Sequence, residues 1–200
     1  VGGWVRNHLM NLQTTDIDLA TEALPEHIIQ WGQDNQIKVI PTGLSHGTVS
    51  IIWRGASLEI TTLRRDVETD GRHAKVLFSK NWEEDAKRRD FTMNALYFNQ
   101  NKEIEDYVGG VKDIQDRYVR FVGDQNQRIR EDYLRVWRYY RFLMRYGDSK
   151  KHDVLPLEDY KEGLLSLSKE RVLSELSKWL GARNAYVDDM NVLFKIHFCG

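Results

Sequence analysis

Two hundred residues, 41% of them hydrophobic and 30% charged, suffice for one good core or two small cores sharing a helix, and exclude a disordered chain. A net charge of −1 argues against a protein that coats nucleic acid indiscriminately. A single cysteine, Cys199, excludes an internal disulfide framework and makes a reducing compartment the default; no apolar run approaches membrane-spanning length, and none reads as a signal peptide.

The chain opens at Val1 directly on Gly2-Gly3, which predicts a missing strand upstream and a tight turn into a helix over residues 4–12. Residues 16–19 read as a short strand. Pro25 suits the first turn of a helix carrying Ile28 and Trp31, where its missing N–H is harmless. A strand over 38–40 closes at Pro41-Thr42-Gly43. Residues 48–53 and 57–63 flank Arg54-Gly55-Ala56 as a β-hairpin, with Leu58 and Ile60 on one face and Glu59 and Thr61 on the other. Residues 64–80, polar and mixed in charge around Gly71, read as a mobile loop. A helix over 81–95 and strands at 96–98 and 104–107 follow.

After Gly110 the pattern turns almost wholly helical. From Arg117 to Arg145 eight arginines face three acids, a local net of +5, with Tyr133, Trp137, Tyr139 and Tyr140 interleaved. Most of these arginines suit a solvated helix face; the sharper reading is a surface for phosphates. One long helix is predicted here, with Ile129, Tyr133, Val136, Tyr140 and Leu143 as its apolar stripe. Ser168 can cap a further helix with Val172, Leu173, Leu176 and Leu180 inward and Gly181 at its end. The fold class is α+β: a mixed-sheet portion over 1–110 with flanking helices, then an all-helical portion over 111–200.

Asp16-Ile17-Asp18 is the strongest chemical signal. In a strand both carboxylates share a face while Ile17 turns to the core. Neighbouring carboxylates repel, and Mg²⁺ is the commonest ion to sit between them and bind substrate phosphates as well. Gly2-Gly3 offers free backbone N–H groups and a helix start for a triphosphate. Glu59 is placed to be a third carboxylate on that face. Asp85, Arg88, Arg89 and Asp90 form a charge cluster, and Glu131-Asp132-x-x-Arg135 sets an acceptor and a donor three apart on a helix. Taken alone, the last two also fit ordinary ion pairs. His46 and His73 have no partner at metal-ligand spacing and read as loop or packing histidines.

Six motifs in this order carry a resemblance: Gly2-Gly3-Trp4-Val5-Arg6, Asp16-Ile17-Asp18, Glu59 to Arg64 with Asp70-Gly71-Arg72, Asp85 to Ala95, Gly109-Gly110-Val111-Lys112-Asp113, and Arg130-Glu131-Asp132-Tyr133-Leu134-Arg135. Together they resemble the class II tRNA nucleotidyltransferases, the CCA-adding enzymes of bacteria and mitochondria, and the bacterial poly(A) polymerases. The resemblance runs over nearly the whole chain, with one departure: Asn7 stands where the family usually has Asp.

This resemblance implies a nucleotidyltransferase-type catalytic head followed by a helical neck, longer family members carrying further helical domains that grip tRNA. It implies two Mg²⁺ ions roughly 4 Å apart on Asp16 and Asp18, with Glu59 completing the acids. The triphosphate of CTP or ATP then lies on Gly2, Gly3 and Arg6, and the ribose at Asp85, Arg88, Arg89 and Asp90. Glu131, Asp132 and Arg135 imitate a complementary base edge that accepts C and A and rejects U and G. Arg138, Arg141 and Arg145 are left for RNA phosphates. The loop over 64–80 favours A addition, because CC-adding specialists of the family lack it. The implied partner is tRNA, in a bacterial cytoplasm or the mitochondrial matrix. A poly(A) polymerase, a CC- or A-adding specialist, and a nucleotide- or RNA-binding module without catalysis remain as alternatives.

Overall fold

The computed structural model describes residues 1–14, 16–69, 74–148, 150, 151, 153, 155–179, 193 and 195. The chain separates into two compact units, Val1–Val111 and Lys112–Gly200.

The first unit is a mixed sheet with helices. Helix α1 (Gly3–Leu9) leads to β1 (Asp18–Thr21), α2 (Pro25–Asp34), β2 (Lys38–Gly43), β3 (Thr48–Trp53) and β4 (Ala56–Thr62). The sheet order is β1-β4-β3-β2, with β1 parallel to β4 and the other pairs antiparallel. Alternation divides its faces. Val49 and Ile51 turn to one side with Ile60 and Val39, where Ile28 of α2 packs on them. Pro25 starts α2 in the first turn, as its missing N–H allows. Glu59 and the hydroxyls of Ser50, Thr48 and Thr61 occupy the opposite alternation; Thr48 and Thr61 hydrogen-bond across the hairpin at 3.0 Å.

Residues 64–80 are not a loop. They form a second hairpin, β5 (Arg64–Thr69) and β6 (Ala74–Phe78), paired from Arg64↔Phe78 to Thr69↔Ala74. Neither the polar β5 nor the largely apolar β6 alternates with a period of two, so neither reads as a half-buried strand. Asp70, Gly71, Arg72 and His73 lie outside the described residues.

The single helix predicted over 81–95 is also corrected. Asn81 caps α3 (Trp82–Lys87) by accepting from the N–H groups of Glu83 and Glu84, and the chain then tightens into a 3₁₀ turn at Thr92–Asn94. Strands β7 (Leu96–Phe98) and β8 (Ile104–Asp106) pair antiparallel, as the sequence suggested. The Asp106 carboxylate then accepts from four successive backbone N–H groups, Val108 to Val111, at 2.8–3.1 Å and so starts α4 (Gly110–Asp116). A Cβ on Gly110 would meet the Thr92 carbonyl oxygen at 2.2 Å, so only glycine fits there.

The second unit is helical: α5 (Gln125–Glu131), α6 (Leu134–Tyr146), α7 (Lys161–Leu165) and α8 (Lys169–Ser177). The long helix predicted through the arginine-rich segment is broken. Asp132 adopts an extended backbone (φ −157°, ψ 105°) and ends α5, and Tyr133 precedes α6. The apolar stripe survives the break: Ile129 on α5 and Val136, Tyr140 and Leu143 on α6 are buried. Ser168 caps α8 through the Arg171 N–H, as predicted. Its inward face differs from expectation. Val172 is buried, Leu173 is 55% exposed, and Glu175 is buried in its place. Leu180 and Gly181 lie outside the described residues. No helix among the described residues is long and apolar enough to cross a membrane.

Candidate active site

The acidic face begins with strand register. Asp18 and Glu59 are partners across the parallel β1–β4 pair, so their side chains emerge side by side on one face. Both are exposed, and neither side chain has a hydrogen bond or ion pair among the described residues. Asp16 is exposed too, but it precedes β1, so strand alternation does not fix where it faces. Ile17, expected in the core, is 43% exposed for the same reason. Among the described residues no group of three His, Cys, Asp or Glu side chains is arranged to hold a metal. The Asp18–Glu59 pair nevertheless suits Mg²⁺ in kind: hard anionic oxygens, solvent access, and mutual repulsion that a cation relieves.

The glycine turn lies beside this strand. The Val1 amine donates to the Asp18 carbonyl at 2.7 Å, and Gly2 N–H donates to Leu96 O at 2.9 Å. Gly2 has φ +61°, and a Cβ there would come within 3.0 Å of Arg89 Nη1 and 3.3 Å of Asn94 O. The turn into α1 is thereby fastened to the segment that carries the Asp85–Asp90 cluster.

Arg6 is 6% exposed, not an open phosphate hook. Its Nε and Nη2 donate to Asn7 Oδ1 at 3.1 and 2.9 Å, and its Nη1 donates to Asn94 Oδ1. Asn94 also donates from Nδ2 to Asp90 Oδ1 at 3.2 Å, and its carbonyl accepts from Arg89 Nη1 at 3.2 Å. This one amide ties Arg6, Asp90 and Arg89 together. Asn94 gave no signal in the sequence, because its partners lie up to 88 residues away.

Asp85 is 1% exposed and cannot itself touch a ribose. Its Oδ1 accepts from Arg88 Nε at 2.7 Å, and its Oδ2 accepts from Arg89 Nη2 at 3.1 Å and the Tyr97 hydroxyl at 2.8 Å. Burial pushes the Asp85 carboxyl up, but the guanidiniums of Arg89 and Arg88, with the Tyr97 hydroxyl, hold it below the ordinary carboxylate value. Burial is also the largest influence on Tyr97; together with the Asp85 carboxylate it raises the phenol well above its usual value. The geometry makes Asp85 a holder of two arginines, whose side chains remain 17% and 19% accessible. Asp90 stands apart, accepting from the Phe91 N–H at 2.8 Å and from Asn94.

In the second unit the break at Asp132 changes the expected pairing. Asp132 and Arg135 are not neighbours on one helix face. Glu131 accepts from Arg128 Nη1 at 2.5 Å and Arg135 Nη1 at 2.6 Å, while Asp132 accepts from Arg171 Nη2 at 3.0 and 3.1 Å and from Leu134 N–H at 3.1 Å. Arg171 was not foreseen, since α8 follows 39 residues later. Arg141, expected on RNA, donates to the buried Glu175 at 2.8 Å and lies over the Phe142 ring. Arg145 is exposed and Arg138 partly so.

The class that this fold and site define is an α+β domain whose mixed sheet presents a metal-competent carboxylate pair beside a glycine turn. Residues 1–120 match the family described as the poly A polymerase head domain, and the chain belongs to that family. It is 44% identical over 184 residues to CCA tRNA nucleotidyltransferase 1, mitochondrial, of Homo sapiens, covering 90% of this chain and 42% of that protein. It also resembles the crystal structure of the Bacillus stearothermophilus CCA-adding enzyme in complex with CTP: TM-score 0.78, 34% identity, 98% of this chain and 46% of that one. A further match is a tRNA nucleotidyltransferase complexed with a primer tRNA and an incoming ATP analogue: TM-score 0.67, 26% identity, 90% of this chain and 53% of that one. The chain spans less than half the length of the curated relatives it matches most strongly.

Proposed function

We propose that this chain is the catalytic part of a template-independent RNA nucleotidyltransferase that adds C and A to the 3′ end of tRNA from CTP and ATP. The observation that carries the reading is the Asp18–Glu59 register pair, exposed and without side-chain partners among the described residues, in a chain of this family. The named activities of the human and Bacillus relatives support it. Residues 1–110 serve as the catalytic head and 111–200 as a helical neck.

Asp18 and Glu59, with Asp16 from the segment before β1, would hold two Mg²⁺ ions, which would supply charge neutralisation for in-line displacement at the α-phosphorus. Gly3 offers its backbone N–H to the triphosphate, Gly2 shapes the turn while its own N–H is held by Leu96 O, and Arg6 acts from beneath by bracing the turn on Asn7 and Asn94. Arg88 and Arg89, fixed by Asp85, test for the ribose hydroxyl, while Asp90 braces the same segment through Asn94. Asp132 accepts from the exocyclic amine of C or A, and Arg135, set by Glu131, donates to the ring. Arg145, exposed at the end of α6, suits RNA phosphates, and Arg138 is partly accessible; Arg141 belongs to the α6–α8 ion pair. A bacterial cytoplasm or the mitochondrial matrix is the compartment this reading calls for, and the mitochondrial human and the bacterial relatives support it.

The test is incorporation into tRNA lacking its 3′ end, with Mg²⁺ and each nucleotide supplied separately. C followed by A is expected. Long A tails on any RNA would make the chain a poly(A) polymerase, and binding without pyrophosphate release would make it a non-catalytic module.

A further inference from the structure

Asp132 is an extended residue between two helices, and on its own segment the Leu134 N–H reaches only Oδ1. Both oxygens are held by Arg171. One nitrogen, Nη2, donates to both carboxylate oxygens, at 3.1 Å to Oδ1 and 3.0 Å to Oδ2, while the Leu134 N–H donates to Oδ1 at 3.1 Å. An ionised carboxylate offers about four acceptor positions, two on each oxygen. Oδ1 is therefore filled, and Oδ2 keeps the single remaining position. Among the described residues this clasp, with the Leu134 N–H, leaves one acceptor position, on Oδ2.

Arg171 is itself held in place. Ser168 caps α8 by accepting from the Arg171 backbone N–H, which fixes the first turn. One turn further along the same face, the buried Glu175 accepts from Arg141 Nε of α6 at 2.8 Å. The two pairs across α8 have opposite polarity, cation to Asp132 and anion to Arg141. A slip of α8 by one turn would set Glu175 against Asp132, like charge against like, so the register that delivers Arg171 is the one the charges allow.

We propose that Arg171 is a specificity-positioning residue: it orients Asp132 so that Oδ2 alone accepts from the base amine. This rests on the reading of Asp132 as the base-contacting acceptor. Arg171 acts through that carboxylate and need not leave it when nucleotide binds.

The experiment measures CTP-over-UTP preference, by equilibrium binding to this chain and by incorporation into tRNA lacking its 3′ end. The variants are Arg171→Met, Arg171→Lys, Asp132→Ala, the Arg171→Met/Asp132→Ala double, and Glu175→Gln, each with its thermal midpoint. Arg171→Met is expected to relax preference by roughly tenfold or more out of the ~10⁴ a hydrogen-bonding site can reach. Arg171→Lys, still cationic, should fall between it and the parent. The double variant should discriminate no worse than Asp132→Ala alone, and Glu175→Gln should lower the midpoint while preference stays within about twofold. If Asp132→Ala relaxes preference and the Arg171 variants keep it in full, Arg171 is a structural clamp and the proposal fails. If Asp132→Ala itself keeps full preference, the base-reading role of Asp132 fails and the proposal with it. Should Arg171→Met not fold, Arg171→Lys decides alone: parental preference overturns the positioning role.

Discussion

Asp18 and Glu59 on the sheet and Asp85 at the head of α3 are the same chemical group in opposite circumstances. The first two stand in strand register, exposed, with no hydrogen-bond or ion-pair partner among the described residues. Asp85 is buried beneath Arg88, Arg89 and Tyr97, and both of its oxygens are taken. A fold that can saturate one carboxylate so fully leaves two others bare and adjacent, at a cost in repulsion. The difference separates acids kept for a cation from acids that build the wall around it. Removing the first kind should harm chemistry and spare the fold; removing the second should harm the fold first.

The largest effect belongs to the bare acids. Asp18→Ala should lower nucleotide addition by ~10³-fold or more, since several kcal/mol of transition-state charge stabilisation would be lost. The thermal midpoint of Asp18→Ala in metal-free buffer should hold or rise, because one of two repelling charges is gone. Substantial activity at saturating Mg²⁺, or a collapsed midpoint, would erase the contrast.

Asp85→Ala should do the reverse. It leaves two guanidiniums and a phenol without their shared anion, a loss of about 3–5 kcal/mol of stability for a broken buried pair. Denaturant unfolding measures it directly. The same carboxylate sets an acid limit. Its pKa is depressed in the folded chain, so the stability it contributes is fully present above its unfolded value near 3.8 and is lost as pH falls through the folded pKa. The parent should therefore lose stability between about pH 4 and lower values more steeply than Asp85→Asn. Equal acid profiles would mean that Asp85 carries no net stabilisation.

A smaller effect is expected at Asn7, whose Oδ1 accepts twice from the buried Arg6. Asn7→Asp keeps both acceptor contacts and turns these already charge-assisted bonds into an ion pair, which should stabilise the protein by about 1 kcal/mol. Nucleotide addition should rise or stay level. A clear loss of activity would give the asparagine a role of its own.

The two kinds of acid also differ in how openly the sequence discloses them. The face on which Glu59 stands follows from a two-residue alternation and a recognisable hairpin, both local features; its pairing with Asp18 across the parallel β1–β4 ladder is not local. Asp16 and Ile17 were misjudged because β1 begins only at Asp18, and a strand edge is not marked by any residue there. The saturated groups depend on distant partners: Asn94 on Arg6, Arg171 on Asp132, Glu175 on Arg141. The break between α5 and α6 has the same origin. Glu131-Asp132-Tyr133 contains no glycine or proline to stop a helix, and the extended backbone at Asp132 is matched by a guanidinium from α8. The β5–β6 hairpin hid for another reason, since neither the polar β5 nor the continuously apolar end of β6 shows a two-residue alternation.

The contrast is tested most directly by divalent-ion binding, with Mn²⁺ as a paramagnetic probe for Mg²⁺ in the presence of CTP. Electron paramagnetic resonance titration of the parent, Asp18→Ala, Glu59→Gln and Asp85→Asn separates the two classes of acid in one series. Bound Mn²⁺ should be strongly reduced in Asp18→Ala, reduced in Glu59→Gln, and retained in Asp85→Asn wherever that variant is folded. Undiminished binding in Asp18→Ala, or loss confined to Asp85→Asn, would contradict the assignment of the bare sheet acids as the metal-holding centre.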